Sequence, residues 1–293
     1  MAAIDFNLIP IVWKDCTGYS PRFASEQVEG YVGLPPAAFS TTSWVPFTSP
    51  QLREALFHEV VHFVDRSLYQ LVVGKQLVSE GRLAWGLVAY YYSSFFAAQA
   101  AIRLKGIFFV KVNYDSERTP PPTHRLEVVN LLTDRFQIRR AGATGEHVRV
   151  WNTFYEEFRS ISTRPSWAMY EVITSETDPE LRLVEMHQRH LVNYVPGCGY
   201  VELRSPSDAL KLQNTLAANV IANQAAALND DYLQLELRAF LRLRLCLQML
   251  TAIDQQNGVY HLHHGRLTTR RRNWLNQFAC PAHLSTHIEG ILI

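Results

Sequence analysis

Apolar and polar residues recur with a helical period over most of this 293-residue chain. Between about Gln51 and Val78, at about 100° per residue, Leu56, Val60, Phe63, Val64, Leu68 and Leu71 share one face. His58, His62, Asp65, Arg66 and Tyr69 occupy the opposite one, which reads as a solvated stripe. Ser49-Pro50 ahead of the run offers an N-cap and a proline at the first helical position, and Glu80-Gly81 marks the break. A second helix is predicted from Leu83 to Leu104 with Gly106 as its stop, so that the two form a hairpin. The run from Leu83 to Ile102 is the longest apolar stretch, but Tyr90, Tyr91, Tyr92, Ser93, Ser94 and Gln99 interrupt it and Arg103 and Lys105 follow. It reads as a buried helix, not a membrane span.

The period changes after Gly106. Ile107 to Val112, Leu126 to Leu132 and Phe136 to Arg140 are β-branched or alternating around Pro120-Pro121-Pro122, which predicts a small loop-rich or β-containing insertion within residues 107–150. Helical patterns return at about Val148 to Ser160, Asp178 to Tyr194, Ser207 to Leu228 and Asp231 to Asp254, the last stopped by Asn257-Gly258. Residues 1–50 hold six of the 14 prolines and predict an irregular arm without a clear edge strand. The expected architecture is mainly α, a multi-helix bundle with one small insertion. It divides into an arm (1–50), a helical body (51–254) and a basic C-terminal segment (255–293).

Composition narrows the class only modestly. The chain is 47% hydrophobic and 19% charged, with 28 Lys and Arg against 27 Asp and Glu, which suits a globular protein and points to no partner by charge alone. Cys16, Cys198, Cys246 and Cys280 lie far apart with no CxxC pair, the pattern of buried thiols in a reducing compartment. Met1 to Ile9 has no basic segment followed by an apolar run, so the expectation is a cytoplasmic protein without a membrane partner.

His58-Glu59-Val60-Val61-His62 is the strongest chemical motif. Two histidines four apart on a helix hold zinc in metallopeptidases, where the intervening glutamate activates water. Glu80, in Ser79-Glu80-Gly81, resembles the third ligand of glutamate-type zinc peptidases, with 17 residues between it and His62. This alternative makes His58, His62 and Glu80 the metal site and Glu59 the base. Such a peptidase also needs an edge strand to hold its substrate.

A different resemblance begins at Trp85. The segment Trp85-Gly86-Leu87-Val88-Ala89-Tyr90-Tyr91-Tyr92-Ser93-Ser94-Phe95-Phe96-Ala97-Ala98-Gln99-Ala100 resembles the aromatic, small-residue second helix of HEPN-like proteins, all-α bacterial toxin and defence proteins that act on or bind RNA. Arg189-His190-Leu191-Val192-Asn193-Tyr194 resembles that family's signature of an arginine, a polar residue and a later histidine, with Tyr194 standing where histidine is usual. The resemblance implies an RNA-binding protein or a metal-independent ribonuclease, or a non-catalytic subunit of a complex, with no cofactor. It also implies a homodimer or larger assembly, with RNA or a protein as partner. Arg189 would hold phosphate, with His190, Asn193 and Tyr194 completing the site. Arg182 and His187 satisfy the bare spacing less well, because Leu183 follows the arginine. Arg140 and His147 have six residues between them but flank Gly142 and Gly145, and so read as loop residues.

Near the C-terminus, Arg266, Arg270, Arg271 and Arg272 precede Trp274 and form a candidate nucleic-acid contact, with the indole placed to stack on a base. The alternating Leu237-Arg238 and Leu241-Arg242-Leu243-Arg244-Leu245 either extends that basic face or carries interhelical ion pairs. No GxxxxGK[ST] loop, GxGxxG after a strand or GxSxG elbow is present, which argues against nucleotide-hydrolysing, dinucleotide-binding and serine-hydrolase cores.

Overall fold

The computed structural model describes residues 13, 16, 22–31, 39–113, 123–132, 134–158, 186, 189–190, 231–257, 269, 271–273 and 276. Among them the chain is mainly helical, with one small antiparallel sheet. The helical patterns expected at 178–194 and 207–228 lie outside the described residues. The elements used here are α1 (Ala24–Tyr31), β1 (Val45–Thr48), α2 (Leu52–Ser79), α3 (Leu83–Leu104), β2 (Ile107–Asn113), β3 (Thr123–Leu132), β4 (Arg135–Arg140), α4 (Glu146–Phe158) and α5 (Asp231–Asn257).

The α2–α3 hairpin forms the centre, as its two apolar stripes predict. Gly86 is required by the close approach of the two helices: a Cβ there would sit 2.6 Å from the Val78 side chain. Deeper between them, Ser67 Oγ donates to the Ser93 carbonyl and Ser93 Oγ donates to the Ser67 carbonyl, each at 2.8 Å. That reciprocal pair satisfies two hydroxyls in an otherwise apolar seam. The α5 helix packs against both members of the hairpin, with Leu237, Phe240, Leu241, Leu245 and Leu250 in the same core as Tyr90, Ala97 and Ala101. No helix among the described residues is long and apolar enough to cross a membrane.

The α3 helix ends where expected, at Gly106 with φ +80, a left-handed turn that glycine adopts without steric cost and that feeds the chain directly into β2. The sheet order is β1-β4-β3-β2, every pair antiparallel. Val110, Val112, Leu126, Val128, Phe136 and Ile138 supply its buried face. Thus the insertion is a three-stranded meander, with a register shift between Asn130 and Leu132 in the β3–β4 pairing, and a fourth strand added.

That fourth strand corrects the expectation for residues 1–50. The arm is not wholly irregular, because it contributes α1 and the edge strand β1, with Val45 opposite Ile138 and Thr48 opposite Arg135. Pro46 is tolerated because β1 has a partner on one side only. The start of α2 also differs: Gln51, without a side-chain cap bond, is the N-cap, while the Ser49 amide donates to the Asp134 carbonyl at 3.0 Å.

Candidate functional site

The stripe on α2 expected to face solvent is covered at two of its five positions, His58 and Asp65. His58 is only 8% exposed, because Phe23 at the start of α1 packs on its ring and on that of His62, with centroids at 5.4 and 5.6 Å. Asp65 is buried, and Arg271, 0% exposed, donates from Nε to its carboxylate at 2.7 Å. Among these residues His62, Arg66 and Tyr69 do keep exposed surface.

Glu59 faces inward between two donors. Its Oε1 accepts the Ala24 amide at 2.9 Å, and its Oε2 accepts Arg103 Nε at 2.9 Å. The first contact places a carboxylate at the N-terminus of α1, where its sign complements the helix dipole. The second closes a buried ion pair, with Arg103 also stacked 4.3 Å from the Phe63 ring centroid. Glu59 is therefore bonded as a structural carboxylate that ties α1 and α3 to α2.

The third ligand of the peptidase alternative is not brought to the histidines. The α2 helix runs unbroken from Leu52 to Ser79, so Glu80 stands 18 residues past His62 at its C-cap, about 27 Å along the axis. There it pairs with Arg82 at 3.4 Å and accepts from Gln76. The His58 and His62 rings do lie together, with centroids 5.2 Å apart. No group of three or more His, Cys, Asp or Glu that could hold a metal occurs among the described residues.

A second histidine region lies across α3. His147 is on α4, not in a loop, since α4 begins at Glu146. Its ring stacks on Phe95 with centroids 4.1 Å apart, and its Nδ1 lies 2.6 Å from the Tyr91 hydroxyl. Arg189 joins the same cluster: its Nη1 donates to the Tyr92 hydroxyl at 3.2 Å and its guanidinium lies 5.2 Å from the Tyr91 ring centroid. The buried Arg189 Nε has no hydrogen-bond partner. Burial, and secondarily the Arg189 charge, hold His147 below its ordinary pKa against the opposing pull of Glu146, so its ring is neutral at pH 7.

Sequence spacing alone did not select His147. The signal that could have found it is the helical phase of α4, where His147 and Trp151, four apart, share a face toward the tyrosines. Of the residues named with Arg189, His190 is exposed, and Asn193, Tyr194, Arg182 and His187 lie outside the described residues. Met186, also described, packs on the core.

Arg242 is another cation that the apparent basic stripe of α5 turns inward. Fully buried, it donates to Ser94 Oγ and to the Tyr155 hydroxyl, and its guanidinium lies 4.7 Å from the Trp151 ring centroid. Of the C-terminal cluster, Arg272 is exposed and Arg271 is the buried partner of Asp65, which removes its guanidinium from any surface contact with phosphate. Arg266, Arg270 and Trp274 lie outside the described residues.

Between these regions is a cavity of about 310 Å³ lined by α2, α3, β2, β3 and α4, together with Phe23 and Ser25. Glu59, His62 and Arg103 contribute to its wall, so the HExxH motif borders a concave surface even though Glu59 is committed elsewhere. No protein-family model matches the chain, no curated protein matches it, and no solved structure matches it.

Proposed function

We propose that this is a HEPN-like protein of a bacterial defence or toxin system that binds RNA and cleaves it without metal, working as a homodimer or within a larger complex. The observation that carries the reading is the meeting of Arg189, a neutral His147 and two tyrosine hydroxyls on α3. His147 fills the role for which the sequence motif offered only Tyr194.

The chemistry follows from those groups. In the tautomer whose Nδ1–H donates to the Tyr91 hydroxyl, Nε2 carries the lone pair that accepts a proton from an RNA 2′-hydroxyl. The 2′-oxygen attacks the adjacent phosphorus as the P–O5′ bond breaks, the departing O5′ takes a proton from solvent water, and a 2′,3′-cyclic phosphate and a 5′-hydroxyl end remain while His147 returns its proton to solvent. Arg189, oriented by Tyr92 and retaining an unpartnered Nε, neutralises the charge that builds on the phosphoryl oxygens.

Incubation of labelled single-stranded RNA with the protein in excess EDTA tests this directly. The expected products carry cyclic phosphate ends, and His147→Ala lowers the cleavage rate by about 100-fold or more. Arg189→Ala weakens RNA binding as well as cleavage. Failure of the unmodified protein to bind or cut RNA, or full activity in either variant, would overturn the reading.

A further inference from the structure

The cavity beside the HExxH motif carries an inference independent of the RNA reading. Cations dominate its lining: Arg66, Arg103, Lys111, Arg125 and Arg149 face two carboxylates, Glu59 and Glu146. Those carboxylates are already engaged, Glu59 with Arg103 and Glu146 with Lys111 at 3.3 Å. No described carboxylate forms an ion pair with Arg66, Arg125 or Arg149.

Arg149 is the most informative of these. It is 9% exposed, its Nη2 donates to the Gly142 and Thr144 carbonyls at 2.5 and 2.7 Å, and its buried Nη1 has no hydrogen-bond partner. Its guanidinium also lies 5.2 Å from the Phe109 ring centroid. A buried guanidinium held rigidly by two carbonyls with one donor unused is costly unless an acceptor meets it. Phosphate oxygens meet that requirement best, since a planar fork of donors matches them and a second charge nearby strengthens the contact.

Helical phase separates this site from the Arg189 cluster. On α4, Glu146 and Arg149 are three residues apart and share one face, while His147 and Trp151 point across the helix to α3. The cavity also has an apolar component, with Phe23, Phe63 and Phe109 in its wall. Its volume lies at the small end of the range for organic ligands, about 300 to 1,000 Å³, and suits a compact molecule better than a nucleic-acid strand.

We infer that this cavity is a binding site for a small organic phosphate of nucleoside-monophosphate size, with Arg149, Arg125 and Arg66 taking the phosphate and Phe63 and Phe109 bordering the organic part. Glu59 and Glu146 keep Arg103 and Lys111 in place, and the remaining cations are left for the ligand.

Isothermal titration of the full chain with AMP, GMP, CMP and UMP, with adenosine and inorganic phosphate as partial ligands, tests the assignment. At least one monophosphate should bind more tightly than inorganic phosphate, and adenosine should bind at least about tenfold more weakly than AMP. The Arg66→Glu, Arg125→Glu double variant alters two side chains without described ion pairs and should lower monophosphate affinity by about tenfold or more. Arg149→Gln should do the same, and if it fails to fold the double variant still decides. Absence of monophosphate binding, equal binding of adenosine, or an unchanged affinity in the double variant would overturn the inference. So would an RNA oligonucleotide binding through Arg66 and Arg125 while no mononucleotide binds. Because neither Arg66 nor Arg125 belongs to the Arg189 cluster, this test can fail while the RNA reading stands, and the reverse.

Discussion

The two histidine regions differ in a way that separates motif from site. On α2, His58 and His62 flank a glutamate at the spacing of a zinc peptidase, yet Glu59 is spent on Arg103 and the start of α1, and Glu80 is carried away by the straight helix. On α4, His147 has only a six-residue gap from Arg140 across two glycines to mark it in the sequence, yet it meets an arginine and two tyrosines drawn from other segments. Spacing along a helix determines which face a side chain occupies. It does not determine what the rest of the chain brings to that face.

If the α2 stripe is structural, breaking its ion pairs should cost stability, and the largest effect belongs to Asp65. Asp65→Ala removes the carboxylate that pairs with the buried Arg271 guanidinium and should lower the unfolding free energy by about 3 to 5 kcal/mol in urea titrations. The paired change Asp65→Leu, Arg271→Met should recover most of that loss. A single-variant loss below about 1 kcal/mol, the range of exposed ion pairs, would instead place this face in solvent.

Glu59→Gln is the second test. It keeps an acceptor for the Ala24 amide but removes the charge opposite Arg103, so a loss of about 1.5 to 3 kcal/mol is expected, with RNA binding unchanged. A loss of peptidase activity at unchanged stability would return the motif to catalysis and reverse the comparison.

The smallest effect concerns pH. The folded state holds His147 below its ordinary value of 6.5, so folding disfavours the imidazolium. The stability this contributes is present above 6.5 and is lost as pH falls through the lowered folded value. His147→Phe, which keeps an aromatic ring beside Phe95, should flatten the fall in melting temperature on acidification, whereas the same slope in both proteins would contradict the burial of this ring.

Much of the scaffold was legible from local pattern. The limits of α3 coincide with the expected Leu83 and Leu104, because an unbroken apolar run and a glycine stop are both local signals. The sheet insertion was also visible, since β2, β3 and β4 are neighbours in the chain and alternate as strands do. By contrast, β1 is four residues long, contains Pro46 and exists by pairing with β4 some 90 residues later, a partner no local window reveals. The solvated reading of α2 holds at His62, Arg66 and Tyr69 but not at His58 and Asp65, for the same reason: Phe23 and Arg271, which cover those two, come from distant parts of the sequence. Arg189 was found by its motif, but its true neighbours, Tyr91, Tyr92 and His147, are assembled by tertiary packing.

The contacts between α5 and the hairpin also set a schedule for synthesis. Glu236 pairs with the buried Lys75, Arg242 with Ser94, and Cys246 with the Ala97 carbonyl, joining residues 161, 148 and 149 positions apart. At ordinary translation rates α5 leaves the ribosome roughly 8 to 30 s after the hairpin it completes. During that interval the hairpin presents an apolar face, the kind of surface chaperones hold, so completion of the core is a late event in the life of each nascent chain.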